Sequence, residues 1–243
     1  MDEKSFLKAC ERVEGKDYPR QSVGLLSEKT LHAVLKEYFE EDHSCHEVKI
    51  GTYFADVFHH GEIVEIQTRS FDRLKEKLSV FLPLYPVTVV YPIPYEKNLI
   101  WLDRESGEAS APRRVPKRGS FYDAGRELLR VFDYLSHPNL TVLLLLVNMD
   151  EYRFLSKNKG KKRGSEKIDR IPSTLVGELS LHGASSFKAL LPEALPSPFT
   201  AKDFKKAIKG GPRNAPALLT VLYRLGIVER VGKEGNAYLY EKV

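Results

Sequence analysis

Cysteine is scarce in this chain: Cys10 and Cys45 are the two among 243 residues. That is too few for a disulfide framework, and no Cys-x-x-Cys spacing suggests a zinc site. Long apolar runs are lacking as well. The longest, Val142 to Val147, falls far short of the roughly 20 residues that a bilayer-spanning helix needs. Met1-Asp2-Glu3-Lys4-Ser5 has no apolar signal core, so a cytoplasmic protein that does not enter a membrane is expected. Phosphate-loop chemistry is excluded because Gly210-Gly211-Pro212 lacks the Lys-Ser/Thr partner, and no Gly-x-Ser-x-Gly elbow offers a serine nucleophile. His43, His46, His59 and His60 lie near one another in sequence, yet no two have the spacing of a helical zinc pair.

What remains is the composition of an ordinary soluble globular protein, 42% hydrophobic and 29% charged. Its length allows one substantial core and a small second domain. The net charge is +5, which favours polyanionic partners. That charge is concentrated in Arg113-Arg114-Val115-Pro116-Lys117-Arg118 and in the run from Lys157 to Arg163. Loops of this kind bind phosphate in a salt-sensitive, sequence-independent way, or are simply solvated.

The most informative stretch is Tyr53 to Arg69. Tyr53-Phe54-Ala55-Asp56-Val57-Phe58 is aromatic and β-branched, His59-His60-Gly61-Glu62 supplies a turn, and Ile63 to Arg69 resumes a strand, which together predict a β-hairpin. Alternation puts Val64, Ile66 and Thr68 on one face and Glu65, Gln67 and Arg69 on the other, where they need water or a ligand. A turn of this length brings Asp56 and Glu65 onto one face. Two close carboxylates repel unless a cation lies between them, and hard oxygen ligands suit Mg²⁺ or Mn²⁺, with the Ile66 carbonyl as a third donor.

An acid, a spacer and then Glu-x-Lys (or a polar substitute) across a hairpin resembles the PD-(D/E)xK nuclease superfamily. The flanking sequence extends the resemblance. Ser27 to Phe39 reads as a helix with Leu31, Val34, Leu35 and Phe39 on one stripe, and His46 to Ile50 as a first strand. Phe71 to Leu82 reads as a second helix and Pro86 to Tyr91 as a further strand, which completes the order of the superfamily core. The resemblance implies a restriction endonuclease-like mixed sheet flanked by helices, and a metal-dependent nuclease that hydrolyses phosphodiester bonds of DNA. Asp56, Glu65 and the Ile66 carbonyl would hold Mg²⁺ or Mn²⁺, Gln67 would position the attacking water, and Glu28 would contact a second ion or its waters. Gln67 departs from the usual lysine. Arg69, Lys75 or Lys77 would then supply the missing charge. Without that lysine, the alternative is a catalytically degenerate nuclease fold acting as a DNA-binding or regulatory protein. The superfamily's restriction enzymes imply a homodimer as one arrangement that cuts both strands.

Beyond this core, Asn98 to Asp103 is expected to be a strand, Phe121 to Leu135 a helix and Leu140 to Met149 a buried strand ended by Asp150 and Glu151. Met1 to Arg20 is expected to be a helix broken near Gly15 to Pro19. The nuclease-like domain would span 1–155, followed by a basic linker and connecting segment over 156–198. In 199–243, Thr200 caps a helix from Ala201 to Lys209, Ala215 to Leu225 forms a second helix, and a strand, turn and strand follow. This order resembles a winged helix-turn-helix domain. The resemblance implies DNA contacts from Arg213, Asn214 and Arg224 on the second helix and from Lys233 on the wing. Arg69 and Lys75 would add contacts near the hairpin.

Overall fold

In a computed structural model of the chain, the described residues are 2–14, 29–154, 166–209, 211 and 213–243. Glu28 and the run from Lys157 to Arg163 lie outside them. The fold is mixed α/β, a large sheet with flanking helices. That sheet has the strand order β1-β2-β3-β4-β6-β7, with β5 paired to β4, and a smaller sheet has the order β8-β10-β9. The chain divides into two compact units, one of 1–46, 94–119 and 146–177, the other of 47–93, 120–145 and 178–243.

The first unit begins with α1 (Glu3–Glu14) against α2 (Thr30–Phe39). Phe6, Ala9 and Val13 of α1 and Leu31, Val34 and Leu35 of α2 are buried, and Phe6 meets Tyr38 edge to face at 5.5 Å. The start of α2 is held by a residue distant in sequence. Asp169 accepts the Thr30 backbone N–H at 3.2 Å and also the Thr30 hydroxyl. A carboxylate there satisfies an N–H that helix geometry leaves without a partner, and its charge suits the positive helix end.

Three strands, each with residues in both units, run further than expected. β4 (Val87–Leu102) is continuous where two strands were read, β6 (Leu140–Phe154) continues past Glu151, and β7 (Glu166–His182) opens inside the stretch read as linker. Pro92 and Pro94, between the two expected strands, give no N–H to a ladder. Acceptors suffice there. The carbonyls of Tyr95 and Lys97 take the N–H groups of Gly119 and Val115, while Asn98 and Leu99 pair with β5 (Arg113–Arg114). Asp150 and Glu151 do not end β6, since each has a polar partner that permits a charged residue within a strand: Asn98 for Asp150 and Lys97 for Glu151.

The second unit contains β1 (His46–Ile50) apart from His46, then β2 (Tyr53–His59), β3 (Glu62–Ile66) and α3 (Leu74–Phe81), which leads into β4. β2 and β3 are antiparallel, and β3 is parallel to β4 with α3 as the crossover. His60 and Gly61 turn the hairpin with φ of 49° and 80°, the left-handed pair that a two-residue hairpin loop requires. Leu74, Leu78 and Phe81 are buried along α3, each contributing about 1.5–3 kcal/mol by leaving water.

The helix expected over Phe121 to Leu135 is broken into three. A 3₁₀ turn at Phe121–Ala124 precedes α4 (Gly125–Arg130), and a second follows at Phe132–Tyr134. After α5 (Gly183–Ser186) come β8 (Phe199–Thr200), α6 (Ala201–Ala207), α7 (Asn214–Arg224), β9 (Val228–Glu234) and β10 (Ala237–Lys242). Thr200 caps α6 through a reciprocal capping box with Asp203. α7 packs directly on α4, and residues 199–243 belong to the same unit as the hairpin.

Gly125 sets how closely α4 and α7 approach. A methyl group at this position would lie 2.6 Å from the Asn214 carbonyl oxygen and 2.7 Å from Leu218 Cβ. Gly125→Ala is therefore expected to destabilise the protein by about 2 kcal/mol, seen as a thermal midpoint roughly 4–8 °C lower. An unchanged midpoint would mean that the two helices do not pack this closely.

Candidate functional site

The hairpin ladder is regular near its turn and altered at its open end. Val57 pairs with Val64, Phe58 with Ile63 and His59 with Glu62. One residue beyond, side chains take over backbone donors. The Ile66 N–H donates to Asp56 Oδ2 at 2.7 Å, and the Asp56 N–H donates to Glu65 Oε1 at 3.3 Å. Each acid is thus fixed by the other's strand, which brings the two together as the sequence predicts.

The surroundings differ from the single polar strand face, open to water or a ligand, expected for Glu65, Gln67 and Arg69. Glu65 is fully buried and Asp56 nearly so, at 0% and 7% exposure. β3 ends at Ile66, so alternation stops there. Gln67 is half-buried just past the strand, its N–H donating to the Val90 carbonyl at 2.9 Å, and Arg69 is exposed in a bend. The following segment is pulled into a 3₁₀ turn at Phe71–Arg73, whose start Ser70 caps by accepting the Asp72 N–H.

The positive charge comes from α3. Lys77 Nζ donates to both Glu65 oxygens, at 3.0 and 2.8 Å, and lies 3.9 Å from Asp56 Oδ1. Of the three cations considered in the sequence, Lys77 therefore reaches the acids. It lies twelve residues after Glu65, one turn into the crossover helix that returns the chain to the sheet. Burial and, after it, the Asp56 charge push the Glu65 carboxyl up to about 7, and the pull of Lys77 does not overcome them.

This donor set suits a hard divalent cation. It offers two carboxylates, one of them desolvated and repelled by the other, beside the backbone of Ile66. Among the described residues no group of three or more His, Cys, Asp or Glu side chains is arranged as a metal cage. Any ion here would rest on Asp56, Glu65 and a main-chain oxygen.

The residues expected to contact DNA have varied surroundings. Lys75 pairs with Asp133 at 3.7 Å, where both side chains are largely in water and the pair contributes little. Asn214 Nδ2 donates to Asp123 Oδ1 at 3.2 Å. Arg224 lies over the Phe132 ring at 3.6 Å and 3.8 Å from Asp133. Both side chains of α7 are therefore engaged with the 120–134 segment. Arg213 is exposed. So is Lys233, which lies 5.0 Å above the Tyr238 ring.

Comparison with known proteins places a family around this geometry. A family model described as a domain of unknown function (DUF8091) matches residues 29–182, which run from α2 to the end of β7 and include the hairpin and Lys77. A protein of Treponema pallidum (strain Nichols), described as an uncharacterized protein, is 30% identical over 224 residues, covering 91% of this chain and 88% of its own. No solved structure matches the chain.

The raised Glu65 carboxyl fixes the sign of a pH effect. The folded protein holds this proton up to about 7, whereas the unfolded chain releases it near the ordinary 4.5. Stability from this group is therefore full below about 4.5 and lost as pH rises through about 7, by about 3 kcal/mol at most. Urea midpoints at pH 5 and pH 8 should differ in that direction in the wild type, and Glu65→Gln should flatten the difference. Lys77→Met should destabilise the protein at pH 8 and move the loss of stability to higher pH, because without the ammonium the buried Glu65 carboxyl is pushed further up and stays protonated in the folded state. An undiminished pH difference in Glu65→Gln would show that other groups cause it.

Proposed function

The chain belongs to the DUF8091 family, and from the geometry of its hairpin we propose that it is a metal-dependent nuclease of the PD-(D/E)xK type. The observation that carries this reading is the meeting of Asp56, Glu65 and Lys77 at the open end of a hairpin that leads through α3 into a parallel strand. The order α2, β1, β2, β3, α3, β4 is that of the superfamily core, and Lys77 supplies the ammonium group that Gln67 lacks.

In this mechanism Asp56, Glu65 and the Ile66 carbonyl would hold Mg²⁺ or Mn²⁺, which would supply Lewis-acid activation of water and stabilise charge on the phosphate. Glu65 must give up its proton before it can serve as a ligand. Lys77 then has two tasks. It balances the two acids, and its ammonium beside them would orient the attacking water or the scissile phosphate. Gln67, at the mouth of the same strand, adds a hydrogen-bonding amide without charge.

DNA is the proposed substrate. α6, α7 and the β9–β10 hairpin, joined by β8, follow the order of a winged helix, and exposed Arg213 and Lys233 would meet phosphate. Since Asn214 and Arg224 are engaged with the 120–134 segment, base reading by α7 would require those contacts to open. A second reading is favoured by Gln67 and by the capture of both Glu65 oxygens by Lys77: a degenerate nuclease fold that binds DNA without cutting it.

Calorimetric titration of Mn²⁺ and a plasmid-nicking assay separate the two. The nuclease reading expects Mn²⁺ binding that strengthens as pH rises through about 7, the range in which Glu65 ionises. Binding and nicking should both disappear in Asp56→Asn. Lys77→Met should retain the ion but lose nicking by about a hundredfold or more. Wild-type DNA binding without nicking at any pH, unchanged in Asp56→Asn, would establish the second reading instead.

A further inference from the structure

The first unit contains a second buried acid, whose surroundings are the reverse of those at the hairpin. Glu151, on β6, is 1% exposed and is met by four cations. Lys97 of β4 lies 3.1 Å from Oε2, and Lys167 and Arg170 of β7 lie 3.4 and 3.7 Å from the same oxygen. Arg153, two residues along β6, donates its Nε–H to Oε1 at 2.6 Å, and its terminal nitrogen reaches the same atom. One carboxylate against four cations leaves a local charge of +3. Glu166 pairs with Arg104, whereas Asp150 and Asp169 bond to the neutral Asn98 and Thr30 and keep their own charges, so counting these two lowers the surplus from +3 to +1.

The cations lie around the carboxylate and reach solvent. Their side chains are between 16% and 37% exposed, while the group holding them is almost wholly covered. Glu151 thus acts as an anchor that fixes four flexible side chains on three strands and spends a single charge to do so. Burial works to raise the Glu151 carboxyl, but Arg153, Lys167 and Lys97 overcome it and hold the group down at about 2. Lys167 registers the surplus: burial first, and then the Arg170 charge, hold its ammonium below the ordinary range even though Glu151 pulls the other way. Next to Lys97 on β4, Glu96 collects two more cations, Arg114 and Arg118, at 2.5 and 2.6 Å. The excess charge therefore spreads along the strands.

We propose that the Lys97, Arg153, Lys167 and Arg170 cluster anchored by Glu151 is a binding site for the phosphate backbone of a nucleic acid. Guanidinium forks and ammonium groups that are already fixed lose little conformational freedom on meeting a phosphodiester. An extended array suits a polyanion better than a single small anion. A membrane surface is disfavoured because segments 94–102, 146–154 and 166–170, which carry the cluster, contribute none of the exposed large apolar side chains. The site stands apart from the hairpin reading, since it requires neither Asp56 nor a divalent ion.

Fluorescence anisotropy with labelled single- and double-stranded oligonucleotides, in EDTA and with the full chain, tests it. Lys167→Gln combined with Arg170→Gln should weaken binding by about tenfold or more and reduce the slope of log affinity against log salt by about 1.8, two phosphate contacts at roughly 0.9 each. Circular dichroism and the thermal midpoint of the same variant establish that it is folded. If it is not, Lys167→Gln alone, at the most exposed of the four, should show about half the change in slope. Lys8→Gln, an equal loss of charge on exposed α1, should change the slope little. Similar losses in Lys8→Gln and Lys167→Gln would reduce the effect to net charge and overturn the proposal. So would wild-type binding to vesicles containing anionic lipid without binding to oligonucleotides, full competition by millimolar inorganic phosphate, or no binding at all. Asp56→Asn should bind as the wild type does, so loss of nicking there leaves this site intact.

Discussion

The hairpin depends on an exchange at its open end, where carboxylates take the place of main-chain acceptors. Asp56 receives the Ile66 N–H and Glu65 receives the Asp56 N–H, so each strand is tied to the other through an acid. Covering such acids is costly. The effective penalty is several kcal/mol per ion even after relaxation, and it is repaid only by good geometry and satisfied hydrogen bonds. Lys77, reaching over from α3, repays part of it, and the position of α3 is in turn fixed by Leu74, Leu78 and Phe81 in the core. The crossover helix, the hairpin and the charge balance are therefore one arrangement. Removing Lys77 leaves two buried acids without a compensating charge, whereas removing either acid leaves the other balanced by Lys77.

Glu65 and Glu151 show how far neighbours decide the behaviour of a buried acid. Both are covered by their surroundings. Glu65 has another acid and one ammonium beside it and is driven up to about 7; Glu151 has four cations beside it and is held down at about 2. The hairpin group has a net charge of −1 when fully ionised and would attract a cation, whereas the four cations around Glu151 outnumber the acids there, by one when Asp150 and Asp169 are counted, and would attract an anion. The family match over 29–182 includes both.

Much of the hairpin was legible because its signals are local. The β-branched and aromatic arm, the His-Gly turn and the nine-residue interval between Asp56 and Glu65 survive in the structure almost residue for residue. The Thr200 cap was equally readable. What escaped the sequence is decided by distant partners. Alternation alone could not show that Glu65 is covered, because the cover includes a helix that begins nine residues later. Asp150 and Glu151 resemble strand terminators until Lys97, Lys167 and Arg170 are brought alongside by neighbouring strands. The second half of β4 likewise pairs with partners distant in sequence, β5 and the 115–119 segment. An acid inside an alternating strand, Met149-Asp150-Glu151-Tyr152-Arg153, and the lysine and arginine of Glu166-Lys167-Ile168-Asp169-Arg170 were the available signal for the second cluster.

The most direct test of the account is a carboxyl carbon NMR titration of Glu65, assigned through Glu65→Gln, in the wild type and in Asp56→Asn. The account predicts a wild-type midpoint near 7 that moves down toward the ordinary 4.5 when the Asp56 charge is removed. A wild-type midpoint already near 4.5, unchanged in Asp56→Asn, would contradict it, for Glu65 would then be neither desolvated nor coupled to its partner across the hairpin.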